Sequence, residues 1–509
     1  MADDGHSIGK AGIVDVAIVG CGPVGALAAN LFALEGLSVL AIDREAAPHP
    51  QPRAVHVDHE MMRLFQAAGL ADRLAPLMRA TEGHLHVGAD RGVIRYMGTA
   101  GRPKPFGWAN DYFFWQPELE AVLREGLARF DQATLLTSTE CVGLSQDAEG
   151  VTLSLTGDRT VRSRYVVACD GARSFVRRTL GIALDDLKFD EPWLVVDAEV
   201  EGAVRFPPIA GVPAEADLQR LSVMMCDPAR PATIVPGRGN HRRWEFMLLP
   251  GEDDAAMNRP EAVAALVAPY LDGVPHRIVR ATTYRFHGLV AERWREGRVF
   301  LAGDAAHQTP PFFGQGMCHG MRDVANLAWK LGMVARGQAG DALLDSYQPE
   351  RDPHVRAVIG AAIAAGRYIC TLDPATAAAR DTEMRARPAP AAGETAADLI
   401  PAIEAGVVGK GQGAGERFIQ PHLADGRLLD AATGGGWRLF AHGSPPAPAC
   451  IAAIDLEALD DGGAVAAWLA ERGAEAVLVR PDFYVFDTGS PAALIERLAR
   501  ILAPEGVPA

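Results

Sequence analysis

The chain has 509 residues, enough for two or three domains at roughly 150 residues each. Hydrophobic residues make up 49% and charged residues 22%, which excludes a disordered or fibrous chain. A formal net charge of -15 excludes a general role on nucleic acid or anionic membranes, since both require a basic surface.

Residues Met1 to Val14 carry Asp3 and Asp4 and no basic stretch leading into an apolar one, so no signal peptide is expected. From Val14 the chain reads strand, glycine turn, helix, strand: Val14 to Val19, Gly20-Cys21-Gly22-Pro23-Val24-Gly25, Ala26 to Leu34, and Leu37 to Ile42. This order predicts a parallel βαβ crossover. In that context Gly20-x-Gly22-x-x-Gly25 permits a tight turn, close backbone approach and a pyrophosphate at the helix N-terminus. Asp43, 23 residues after Gly20 and followed by Arg44, is placed to hydrogen-bond ribose hydroxyls. The fingerprint alone does not separate FAD from NAD.

Tyr165-Val-Val-Ala-Cys-Asp170-Gly171 is a further strand ending in Asp-Gly, by itself an ordinary strand-to-turn junction. Between Lys188 and Arg285 the texture turns β-rich, with runs such as Trp193 to Val196 and Trp244 to Leu249 broken by Pro and Gly. Arg298-Val-Phe-Leu-Ala-Gly303-Asp304 predicts a buried strand ending in Gly-Asp, followed by Pro310-Pro311 and a turn, Gly314-Gln315-Gly316, that opens a helix. Free N–H groups at that helix start suit an anionic ring such as reduced isoalloxazine, and Asp304 suits a ribityl hydroxyl. Met321, Val324, Ala325, Ala328 and Leu331 recur at helical spacing and predict a core face. The run from Val355 to Gly366 is too short to span a bilayer. Arg385 to Glu394 is Pro/Ala-rich and reads as a linker before about 110 residues of small α/β domain. Seven scattered cysteines, Cys21, Cys141, Cys169, Cys226, Cys318, Cys370 and Cys450, include no Cys-x-x-Cys pair. That pattern points to a reducing cytoplasm, with no metal site expected.

Together the glycine fingerprint, the Asp-Gly segment and the Gly-Asp segment resemble the aromatic-ring flavin monooxygenases, the single-component family of p-hydroxybenzoate and phenol hydroxylases, from about Val14 to Arg356. Within it the chain particularly resembles the 3-(3-hydroxyphenyl)propionate hydroxylases, through Asp227-Pro-Ala-Arg-Pro, Arg242-Arg-Trp-Glu-Phe-Met-Leu-Leu-Pro-Gly251 and Pro310-Pro-Phe-Phe-Gly-Gln-Gly-Met-Cys318. The resemblance implies an α/β fold, α+β overall: a Rossmann-like FAD-binding domain (1–187 and 286–387), an inserted β-sheet substrate domain (188–285) and a C-terminal thioredoxin-like domain (388–509) without a redox cysteine pair.

It also implies roles. The FAD contacts would be Gly20, Gly22, Pro23, Val24, Gly25, Asp43, Arg44, Gly303, Asp304, Gly314, Gly316 and Met317, with Arg53 on the pyrophosphate and Gln116 near the flavin. Asp170 would serve both FAD and NAD(P)H, and Pro311 would line the flavin's reactive face. NADH or NADPH would reduce FAD, dioxygen would add to give a flavin C4a-hydroperoxide, and its distal oxygen would pass to a phenolic ring ortho or para to the hydroxyl. His56, His241 and His319 are candidates, by chemistry only, for accepting the phenol proton. His319 stands where the resemblance leads one to expect a small residue. Phe312 and Phe313 are candidates for excluding water beside the substrate, with simple core packing an equal alternative. The partners expected are a small aromatic substrate, dioxygen and NAD(P)H, with a homodimer left open. Alternatives are a hydroxylase of larger polycyclic, polyketide or antibiotic substrates and a non-catalytic FAD-binding sensor.

Overall fold

The computed structural model describes residues 13–99, 101–387 and 399–503. Residues 1–12, and the part of the expected linker from 388 to 394, lie outside the described residues. Arg385 and Ala386 end the helix Pro374–Ala386.

Val14–Val19 is the central strand of the first large sheet, because its β-branched residues fit a pleat covered on both faces. It pairs in parallel with Val39–Ile42 on one side and Arg159–Ala168 on the other. Ala133–Leu136 and Val299–Leu301 continue the parallel array outwards. The Asp-Gly and Gly-Asp segments therefore leave the same end of adjacent strands as the glycine fingerprint. Helix Pro23–Leu34, with proline in its first turn, packs on the long helix Gly316–Ala335. Gly320 allows this approach: a Cβ there would lie 2.8 Å from the Cα of Gly303.

The second large sheet is organised around the 17-residue strand Leu184–Val200, flanked by His276–Ala291 and His241–Met247. Ala232–Val235 and Ser222–Met225 follow, then Gly83–Val87 and Val93–Gly98. The last two strands correct the expected limits of 188–285, since they come from the first segment. Gly83–Val87 joins in parallel with Ser222–Met225 because Leu85 and Val87 complete an apolar cluster with Leu194, Val196 and Trp244. Helix Pro260–Leu271 covers that face of the sheet. Trp193, Val195, Met224 and Met247 belong instead to the core of the first body, so the opposite face looks toward the glycine turns.

Residues 399–503 carry a four-stranded sheet in the order Ile451–Asp455, Trp437–Ala441, Ala476–Val479, Val485–Gly489. The first pair is parallel and the other two are antiparallel, a thioredoxin-like arrangement. Cys450 is exposed and unpaired. This unit is keyed to the rest by buried charge. Arg480 donates to Glu350 at 2.6 Å, and Lys330 pairs with the same carboxylate at 2.9 Å. Asp482 accepts from Asn326 and Trp329 of the long helix. Burial pulls the Lys330 ammonium down to about 8 despite Glu350. The helix Gly316–Ala335 is therefore buried beyond its apolar stripe, with Arg322, Asp323, Asn326 and Lys330 enclosed as well. Among the described residues no helix is long and apolar enough to cross a membrane.

Candidate active site

The three turns meet at a cavity of about 310 Å³ between the two large sheets. Gly20 has φ +91°, and a Cβ there would lie 2.5 Å from the Cys169 carbonyl oxygen. A Cβ on Gly25 would overlap the Gly20 carbonyl oxygen, so both positions hold the turn closed. Gly22 is different: it lines the cavity, as do Pro23 and Val24, and nothing lies within 4 Å of where its Cβ would be. Its open side faces the start of a helix whose first N–H groups have no side-chain cap. Asp43 braces this turn, accepting from the N–H of Cys21 at 2.8 Å and from Arg124 at 3.1 Å. Its other oxygen accepts from the N–H of Glu45, and exposed Arg44 reaches Glu45 at 3.3 Å.

Across the cavity, Gly303 and Asp304 form a short turn after the strand Val299–Leu301. Asp323 holds it, accepting from the N–H of Gly303 at 3.1 Å, His307 at 2.7 Å and Arg351 at 3.0 Å. Asp304 is exposed where it opens onto the cavity, and among the described residues no hydrogen bond reaches its carboxylate. Desolvation by the surrounding cavity wall raises its pKa, against the opposing charges of His307 and Arg53. Gly314, Gly316 and Met317 border the cavity at the uncapped start of the helix Gly316–Ala335. Gly314 has φ +64°, and a Cβ would lie 2.7 Å from Nδ1 of His56.

Arg53 also lines the cavity, and its loop is held by Gln116, whose Oε1 accepts from the N–H groups of Arg53 and Ala54 at 2.8 Å each. Cys169 and Gly171 line it on either side of Asp170. Asp170 accepts from the N–H of Val176 at 3.1 Å, and its other oxygen is buried without a partner. Nη1 of Arg124, beside the fingerprint turn, is likewise buried and unpartnered. An open glycine cradle, two uncapped helix starts and three unmatched polar groups fit a bound FAD: N–H groups and arginines for its phosphates, carboxylates for its hydroxyls.

A family model described as FAD binding domain matches residues 13–362. Over 97% of its length the chain is 35% identical to 96% of a Rhodococcus jostii (strain RHA1) protein named probable NADH-specific resorcinol 4-hydroxylase. It is 36% identical, over 92% of its length and 93% of the relative's, to a 3-(3-hydroxy-phenyl)propionate/3-hydroxycinnamic acid hydroxylase of Burkholderia cenocepacia (strain HI2424). The chain belongs to the FAD-dependent aromatic hydroxylases. Among solved structures, aklavinone-11 hydroxylase with FAD and aklavinone superposes with a TM-score of 0.76 at 25% identity, over 96% of this chain and 99% of that one.

In the hydroxylase, the histidine candidates separate. His56 lines the cavity, with Nε2 2.7 Å from Asp111 and Nδ1 3.4 Å from the Gly314 carbonyl. Burial lowers its pKa, but the hydrogen bond and charge of Asp111 more than offset this, so the net shift is upward. His241 and His319 are not at the cavity wall, which corrects their candidacy. His241 is held by Asp197 at 2.8 Å and packs edge-on to Trp115. His319, in the first turn of the helix Gly316–Ala335, is fully buried, 3.2 Å from Arg351 and against His307. Burial and the Arg322 and Arg351 charges keep it well below the ordinary histidine range.

Pro311, Phe312 and Phe313 all line the cavity, but the two phenylalanines differ. Phe312 is buried in an aromatic cluster with Phe189, Trp193 and Phe286, so it is core as much as wall. Phe313 is half-buried and is the ring facing open space. Phe313→Ala should leave NAD(P)H oxidation largely intact and raise hydrogen peroxide per NAD(P)H several-fold, because water then reaches the reacting centre. An unchanged product-to-NAD(P)H ratio would remove Phe313 from that role.

Sequence reading missed Arg124, Asp323 and Glu245. Arg124 was detectable as an i,i+4 partner of Glu120 on the helix that Gln116 opens. Asp323 was detectable as a charge set within an apolar helical run.

Proposed function

We propose that the hydroxylase inserts one oxygen atom of O2 into a small phenolic ring, with a hydride from NADH or NADPH and a proton converting the other atom to water. The observation that carries this reading is the composition of the cavity's far wall. Beyond the glycine turns, the second sheet presents His84, Ser222, Met224, Thr233, Val235 and Glu245, with Phe113 and Phe313 at the side. Aromatic and aliphatic surface with a few convergent polar groups suits one hydroxylated ring. The relatives named for resorcinol and hydroxyphenylpropionate support the same substrate class.

Bound FAD supplies hydride acceptance and oxygen activation. The chain's own residues bind and orient it. Gly22, Arg53 and Arg124 take the pyrophosphate, Asp43 and Arg44 the adenosine ribose, and Asp304 the ribityl chain. Asp170 faces both FAD and the nicotinamide, and the helix start at Gly314 to Met317 steadies negative charge on the ring. Pro311 and Phe313 wall off water at the reacting face.

The test is NAD(P)H consumption by the FAD-loaded protein with a panel of phenols, a phenolic acid and a polycyclic polyketide, scored by the mass of the product. Stimulation with an added 16 Da in a one-ring phenol is expected. Hydroxylation of the polyketide alone would replace this reading, and flavin binding without turnover on any ring would point to a sensor.

A further inference from the structure

We propose that Glu245 accepts the ring hydroxyl's hydrogen bond and that the site takes an uncharged phenol, such as a benzenediol, in preference to a phenolic carboxylate; this rests on the small-phenol reading above. Glu245 stands in the middle of the strand His241–Met247, opposite Val195 on one neighbour and Thr233 on the other. Strand alternation sends Trp244 and Phe246 into the apolar cluster under the sheet, and places Arg243 and Glu245 on the cavity wall. Among the described residues no hydrogen bond engages the Glu245 side chain. An acceptor left unmatched inside a cavity is one a ligand would satisfy.

The charges around it set the preference. Arg243 on the same strand is fully engaged: Nε and Nη2 bind Asp197 at 2.8 and 3.1 Å, and Nη1 and Nη2 bind the carbonyls of Arg53 and Pro52. Arg280, from the strand His276–Ala291, pairs with Asp197 of Leu184–Val200 at 2.8 Å. His84, from Gly83–Val87, is held neutral by burial, and its Nδ1 has no partner. Thr233, on the remaining neighbour, carries no charge. Of the other cations at the cavity, His56 is matched by Asp111, and Arg53 faces Asp304. The far wall thus holds a carboxylate and no free cation. A substrate carboxylate placed there would meet like charge, whereas a phenol hydroxyl gains a charge-assisted hydrogen bond, about twice as strong as a neutral one.

Burial, with Asp197 adding to it against Arg243 and Arg280, pushes the Glu245 carboxyl up to about 7. A phenol's pKa is about 10, so Glu245 is closer to a proton match than an ordinary glutamate near 4.3. As oxygen reaches the ring, the hydroxyl proton shifts to Glu245 and the ring carbons ortho and para to it gain electron density. The ring C–O bond forms as the O–O bond breaks. The hydroxylated carbon then loses its hydrogen as a proton, which goes to the second oxygen atom and leaves with it as water. The carboxyl returns its own proton to the first hydroxyl oxygen, so no net charge is left behind.

The experiment uses FAD-loaded wild type, Glu245→Gln and Glu245→Asp, with resorcinol and 3-(3-hydroxyphenyl)propionate as probes, across pH 5.5 to 9. In wild type, kcat/KM for resorcinol should rise with pH through about 7. Glu245→Gln should lose that limb and about 10-fold or more of the rate, with FAD occupancy unchanged. Glu245→Asp should keep a limb, displaced in pH. The resorcinol-to-acid ratio should exceed one in wild type and fall in Glu245→Gln. A wild-type ratio favouring the acid, or a profile and ratio unchanged in Glu245→Gln, overturns the inference while leaving the hydroxylase reading intact. Failure of wild type on every phenol overturns the reading itself. Equilibrium binding of the two probes, followed by flavin absorbance, then still decides on Glu245, since an unchanged affinity ratio in Glu245→Gln rejects it. Relief of a buried charge should also raise the Glu245→Gln melting temperature more at pH 8 than at pH 5, which confirms a folded variant.

Discussion

Arg322→Met should lower stability by about 3–5 kcal/mol at neutral pH, the cost of leaving buried carboxylates without their counter-charge. Arg322 is enclosed in the long helix and donates to Glu60 at 2.7 Å, to Gln315 at 3.0 Å and to Asp58. Asp58 also caps the helix His59–Ala67, and Tyr484 of the C-terminal unit donates to Glu60 at 3.0 Å. One guanidinium thus ties together three segments and the turn at the flavin end. Burial alone would raise the Asp58 and Glu60 carboxyls, but Arg322 is the largest opposing influence, and both end below their ordinary values. Depressed carboxyl pKa values give stability that is present above the unfolded range near 4 and is lost as pH falls. The gap between wild type and mutant should therefore narrow below about pH 4. Denaturant unfolding at pH 7.5 and at pH 3.5 measures both. A loss under about 1 kcal/mol at pH 7.5 would contradict the assignment.

Asp304→Ala should weaken cofactor binding and leave the fold almost unchanged. FAD affinity should fall about 10- to 100-fold, since a hydrogen bond to a charged group contributes roughly 1.5–3 kcal/mol. The FAD-free protein should keep its stability to within about 0.5 kcal/mol, because the Asp304 side chain is exposed at the cavity and among the described residues has no hydrogen bond to lose. Flavin fluorescence titration and melting of the FAD-free form give the two readings. A folded mutant with unchanged FAD affinity would remove Asp304 from the cofactor site, and a clearly destabilised one would show that the carboxylate serves the fold.

What the sequence revealed was what neighbouring residues decide among themselves. Gly20, Gly22 and Gly25 are read from the strand before them and the helix after them, and the structure draws the same turn, with two positions closed by backbone and one open. Asp304 was legible for the same reason, as the residue that ends a buried strand. The histidines were not. His241 and His319 carry suitable chemistry, but Asp197 and Arg351, 44 and 32 residues away, enclose them, and no local pattern announces such partners. Glu245 lay within a legible alternation of Arg243, Trp244, Glu245 and Phe246. Which face of that strand would meet the cavity depended on how the two sheets pack, and on Gly83–Val87 joining from far upstream.

The ionic seam at the C-terminal unit bears on how such enzymes could be recombined. A gene crossover placed between residues 387 and 399 would look harmless, since every cofactor-facing turn precedes it. It would nevertheless part Arg480 from Glu350 and Asp482 from Asn326, each sealed from water. A chimaera inheriting one half of each pair from a donor without the matching residue would carry an orphaned interior charge, and would be selected against before any substrate was offered to it. The two regions should therefore travel together in shuffled libraries, and functional hybrids should exchange Glu350 and Arg480 as a unit.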